Sequence, residues 1–106
     1  MKLAYIAGPY RAKEWIDVKQ NILNAERVAI VALNDGYMPV CPHLVTGGFE
    51  HHCPEVSDRF WLDGTLLLLS KCDVIYICKG WKESEGSRLE YGWAINNNMP
   101  IIYMDK

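Results

Sequence analysis

Leu3-Ala4-Tyr5-Ile6-Ala7-Gly8-Pro9 sets five apolar residues in a row and closes them with a glycine and a proline. A run that short, with no polar alternation and a turn signal at its end, reads as a strand buried on both faces. Strands of that kind belong to parallel sheets, where a long crossover must precede the next strand. The chain supplies one at once. Val18, Ile22, Ala25, Ala29 and Ala32 recur at spacings of three and four, which marks an amphipathic helix, and Asn34-Asp35-Gly36 stops it. Residues 37–41 then form a second strand, kept short by Pro39 and Pro42.

The alternation continues. Residues 43–57 hold no period and contain Gly47-Gly48, His51-His52 and Pro54, so they read as one long loop of a functional or mobile kind. Ser57 or Asp58 caps a helix running to about Lys71, with Trp61, Leu62, Leu66 and Leu69 expected to face the sheet. Residues 73–78 form the third strand and 79–85 a loop. A further helix reaches about Asn97, and residues 100–104 form the last strand. The order β-α-β-α-β-α-β predicts an α/β fold: a doubly wound parallel sheet of flavodoxin-like order 2-1-3-4 in a single small domain.

Composition narrows the partners. The chain has 106 residues, enough for one domain, and half of them are apolar. A net charge of -2 argues against a duplex nucleic acid partner, which calls for a basic face, but leaves room for a small anion held by local donors. The opening apolar run is too short for a signal peptide, and the leucines from Leu66 to Leu69 are too few to cross a membrane. Cys41, Cys53, Cys72 and Cys78 show no C-x-x-C spacing and read as reduced thiols of a cytoplasmic protein. With His43, His51 and His52 they match no zinc pattern, so neither metal nor cofactor is expected.

In a sheet of this order ligands bind beyond the strand ends, between strands one and three, where the winding reverses. Gly8-Pro9-Tyr10-Arg11 and Gly80-Trp81-Lys82-Glu83-Ser84-Glu85-Gly86-Ser87 must line that crevice. Gly8 and Gly86 allow close backbone approach, and Arg11 offers a forked cation. Ser84, Gly86 and Ser87 stand at a helix N-terminus, where free N–H groups favour an anion. Neither loop is a dinucleotide or P-loop fingerprint. Glu90 follows near the start of the helix, whose dipole is expected to keep it ionised, as a nucleophile requires. The same residues also allow a plainer reading, with Glu90 complementing the dipole, Ser84 capping the helix and Tyr5 filling the core.

Taken together, Tyr5-Ile6-Ala7-Gly8-Pro9-Tyr10, Gly36-Tyr37 with Pro42-His43, Leu69-x-x-Cys72-Asp73 and Gly80-Trp81-x-x-Ser84-x-Gly86-Ser87-x-x-Glu90 resemble the nucleoside 2-deoxyribosyltransferase-like superfamily. That group includes nucleoside 2-deoxyribosyltransferases and 2′-deoxynucleoside 5′-phosphate N-hydrolases. The resemblance implies a catalytic Glu90 that attacks the anomeric carbon of a nucleoside or nucleotide, with Tyr5 orienting it. Water or a second base would then release the sugar, as in a retaining glycosidase. Ser84, at a phosphate-binding position of the nucleotide hydrolases, points with Arg11 and Ser87 to a 5′-monophosphate. His43 can reach sugar or base, and Trp81 is the better aromatic to stack on a base, with Trp61 the more core-like.

The sequence departs from the family in two ways. Thr65 stands where the family carries an acid that assists at the base, so Asp63, Asp58 or a loop residue must protonate it, or none does. The chain stops at Lys106, short of the extension that relatives lend to a neighbouring subunit. A homodimer or higher homo-oligomer is expected to close the crevice. A non-catalytic nucleotide-binding or sensing domain is the rival reading.

Overall fold

Neighbouring residues of β1 (Leu3–Ala7) point into two different cores. Ala4 and Ile6 pack with Val74 and Tyr76 on one side, while Tyr5 and Ala7 pack with Ile75 and Ile77 on the other. This is the two-sided burial that a continuous apolar run requires. The computed structural model describes residues 1–104; Asp105 and Lys106, and with them the expectation drawn from the end of the chain, lie outside the described residues.

The sheet is all parallel, with order β2-β1-β3-β4. β2 is Met38–Val40, β3 is Val74–Ile77 and β4 is Ile101–Tyr103. One face is covered by α1 (Trp15–Asn34) through Ala25, Val28, Ala29 and Ala32, whose small side chains let the helix lie close to the sheet. The other is covered by α3 (Asp58–Ser70) and α4 (Glu85–Asn96), through Leu69 and Ala94. The expected doubly wound α/β fold is the observed one. Ile6, Ile75 and Ile77 are all but fully buried, which contributes about 2 kcal/mol each. The Asp73 carboxylate accepts the backbone N–H of Leu3 at 2.8 Å and ties the turn before β3 to the start of the central strand. No helix among the described residues is long and apolar enough to cross a membrane.

Two local expectations need correction. Residues 43–57 are not one irregular loop: they contain most of α2 (Pro42–Val45) and a 3-10 turn at Phe49–His51. Pro42 presets the first helical position, and Gly48, at φ 84°, opens the second turn. Single turns bury no stripe, so they leave no periodic trace. In α3, Leu69 and Leu66 do meet the core, but Trp61 and Leu62 line the crevice instead.

Candidate functional site

The crevice lies where the strand order predicts it and encloses about 790 Å³, a size suited to a small organic ligand. The turn after β1 forms one wall, with Gly8, Pro9, Tyr10 and Arg11. Ser84, Gly86 and Ser87 form another, and α3 closes a third side with Asp58, Trp61, Leu62 and Thr65. His43 lines it from α2.

Glu90 is set at the inner end. The Tyr5 hydroxyl donates to Glu90 Oε2 at 2.6 Å, a bond buried between the central strand and α4. The structure corrects the expected charge of this carboxylate. Glu85 opens α4, which leaves Glu90 in the second turn, where the dipole of the helix end has faded. Glu90 is 8% exposed, and burial pushes its pKa up to about 7, although the Tyr5 hydrogen bond and the nearby Thr65 hydroxyl pull it part of the way back. Tyr5 is raised well above its ordinary value by burial and by the Glu90 charge, so it stays a donor. At neutral pH Glu90 therefore exists in both forms, able to act as a nucleophile in one and a proton donor in the other.

His43 Nε2 lies 3.0 Å from the Pro9 carbonyl. A carbonyl only accepts, so Nε2 carries the proton. Burial lowers the His43 pKa against the pull of the Pro9 and Gly8 carbonyls, and the ring is neutral, with Nδ1 a bare acceptor. That Nδ1 and Ser87 Oγ are buried and have no hydrogen-bond partner among the described residues. Unpaired buried polar atoms call for a partner, and here both belong to residues lining a cavity.

The loops are clasped across the mouth. Tyr10 Oη donates to the Glu50 carboxylate, with oxygens at 2.8 and 2.9 Å, and accepts the Gly48 N–H at 2.7 Å. Arg11 Nη2 meets Asp58 Oδ1 at 2.8 Å. Ser84 Oγ accepts the Ser87 N–H at 3.2 Å, so the cap is made and takes up the Ser87 N–H, while the Ser84 hydroxyl keeps its own proton to donate.

Two expected site residues lie elsewhere. Trp81 turns from the crevice and stacks on Tyr91, centroids 4.4 Å apart, against the core cluster of α3 and α4. Trp61 lines the crevice in its place, because Gly80 is followed by a 3-10 turn, Trp81–Glu83, that swings the indole away. Asp63 pairs with Arg59 one turn back at 2.9 Å and does not line the crevice. Glu83 and Glu85 line it from the loop expected there, and Glu50 lines it unforeseen: it is brought in by Tyr10, forty residues distant, and no local pattern announces it. Among the described residues no group of His, Cys, Asp and Glu is arranged to hold a metal ion.

Residues 2–104 match the model of a domain of unknown function, DUF7768, and the chain belongs to that family. No curated protein matches the chain.

Proposed function

For this member of the DUF7768 family we propose cleavage of the N-glycosidic bond of a nucleoside or nucleoside 5′-monophosphate, with Glu90 as the nucleophile. The observation that carries the reading is the buried Tyr5–Glu90 pair at the inner end of a crevice with room for a nucleoside. The motif resemblance supports it. Ionised Glu90 attacks the anomeric carbon, an ester bond forms and the carbon–nitrogen bond breaks, its electron pair leaving with the base. Tyr5 donates to one carboxylate oxygen and leaves the other for attack. Water then adds to the anomeric carbon and the ester breaks; its hydroxyl stays on the sugar and its proton goes to the base. Asp58 lines the crevice but is paired with Arg11, and Asp63 is paired with Arg59. A loop residue such as Glu83, which lines the crevice, is left to protonate the base, or none does.

The test is chromatography of free base after incubation with each ribo- and deoxyribonucleoside and its 5′-monophosphate, beside a Glu90→Ala control. Release should vanish in the control. It should also rise about tenfold from pH 6 to pH 8 as a group of pKa about 7 ionises. Turnover that survives Glu90→Ala would remove Glu90 from the chemistry, and base exchange in place of hydrolysis would make the activity a transfer. Ligand binding without any turnover would favour the sensing reading, to which Thr65 at the acid position lends support.

A homodimer belongs to the proposal. Phe60, Leu67 and Leu68 are exposed on α3, the helix whose Trp61, Leu62 and Thr65 line the crevice. A second copy seated there would cover apolar surface and the crevice wall together. Sedimentation equilibrium should give a dimer that Leu67→Glu dissociates; a monomer with full activity would refute it. A cytoplasmic setting accords with the free thiols of Cys41, Cys53, Cys72 and Cys78.

A further inference from the structure

Charge decides what this crevice admits. Glu50, Asp58, Glu83 and Glu85 line it along with Glu90, and Arg11 is the one lysine or arginine that does so among the described residues. Arg11 is already held 2.8 Å from Asp58. His43 is kept neutral by its burial. Ser84 Oγ accepts the Ser87 N–H, which removes one backbone donor from the helix end, while the Ser84 hydroxyl keeps its own proton. A cleft walled by apolar groups and lined with charge of one sign focuses that field into its interior. An entering phosphate dianion must approach four carboxylates besides Glu90 and displace Asp58 from Arg11, and an uncharged sugar meets neither obstacle.

Two atoms indicate what is recognised instead. His43 Nδ1 and Ser87 Oγ have no partner among the described residues, and their residues are 8% and 1% exposed. With the His43 proton on Nε2, Nδ1 is left able only to accept a hydrogen bond. Ser87 Oγ can either give or accept. Both suit the hydroxyls of a sugar or the edge of a base.

We propose that Asp58 sets the charge class of the ligand: it occupies Arg11, so the crevice takes an uncharged glycoside with free hydroxyls, a nucleoside, in preference to its 5′-phosphate. The glycoside part rests on the N-glycosidase reading; the charge selection does not depend on turnover. Because the Arg11–Asp58 pair is exposed, its influence weakens with salt.

Titration calorimetry of the full chain tests this with a panel of nucleosides, each beside its 5′-monophosphate, at low and physiological ionic strength. The native protein should bind the nucleoside at least tenfold more tightly than its monophosphate. Asp58→Asn should narrow that ratio at least fivefold by strengthening the phosphate ligand, and should also bind inorganic phosphate more tightly than the native protein does. Asp58 is exposed and Ser57 makes the helix cap, so the variant keeps its fold. A native protein that prefers the monophosphate, or a ratio that Asp58→Asn leaves unchanged, overturns the proposal. Selective nucleoside binding with no base release supports it and rejects the N-glycosidase reading. Binding of neither compound overturns both.

Discussion

Glu90→Gln is expected to stabilise the protein by about 3 kcal/mol at pH 8.5 and to change its stability hardly at all at pH 4. The cause is the burial of the carboxyl group, whose pKa rises from 4.5 in the open chain to about 7 in the fold. Between those values the folded chain holds a proton that the unfolded chain has released. Stability is therefore complete below about pH 4.5, declines as pH rises, and reaches its floor above about pH 7. Each tenfold gain in proton affinity on folding corresponds to about 1.4 kcal/mol, and this group is buried enough for most of that to register. Glutamine keeps the shape and an acceptor for the Tyr5 hydroxyl but never ionises. Urea unfolding of both proteins across the pH range is the measurement, and a variant less stable than the parent at pH 8.5 would refute the buried carboxylate. The same substitution should end turnover, so it would gain stability by losing activity, the exchange seen where a site holds a group against its solvation preference.

The second large effect lies at Gly8. A Cβ there would stand 2.6 Å from Cys78 Cβ and 2.8 Å from Cys78 Sγ, inside the contact distance of any two carbons. Cys78 is 3% exposed, just beyond β3, and its N–H is bonded to the Ala7 carbonyl at 2.8 Å, so neither strand can yield without breaking the sheet. Gly8→Ala should cost about 3 kcal/mol through overpacking. The requirement is for room and not for a special backbone angle, which gives a sharper check. Adding Cys78→Gly moves the carbon from one side of the contact to the other and should restore much of the loss. A double variant no more stable than Gly8→Ala alone would show that the clash is not the cause.

How far the sequence can be read follows from the range of the forces involved. The order of elements and the sheet order rest on local periodicity: the apolar run at Leu3 to Ala7 and the repeat from Val18 to Ala32 each declare themselves within one element. The meeting of Tyr5 and Glu90 is legible only through motif resemblance, because a bond between residues 85 apart leaves no periodic mark. The charge of Glu90 escapes the sequence for a related reason. The helix dipole belongs to the helix and can be inferred from it, whereas desolvation is imposed by β1 and α3 packing around the side chain. The exchange of Trp81 for Trp61 turns on a 3-10 turn of three residues, too short to show a period. Asp63 lies close in sequence to Thr65 and so invites a place in the site, but the helical rotation between them carries it to Arg59.

The central strand β1 leaves the ribosome before the other strands of its sheet and is among the last to find all its neighbours. β1 pairs with β2 some 35 residues later, but its other edge waits for β3, as in the pairing of Ala4 with Val74. A chain halted before Val74 holds β1 with one side open to any other strand that passes. Contacts of such separation close slowly, since the intervening chain must give up its freedom before they reward it. Folding of this domain should accordingly be late and all at once during synthesis, with the Tyr5–Glu90 bond formed only after α4 has emerged.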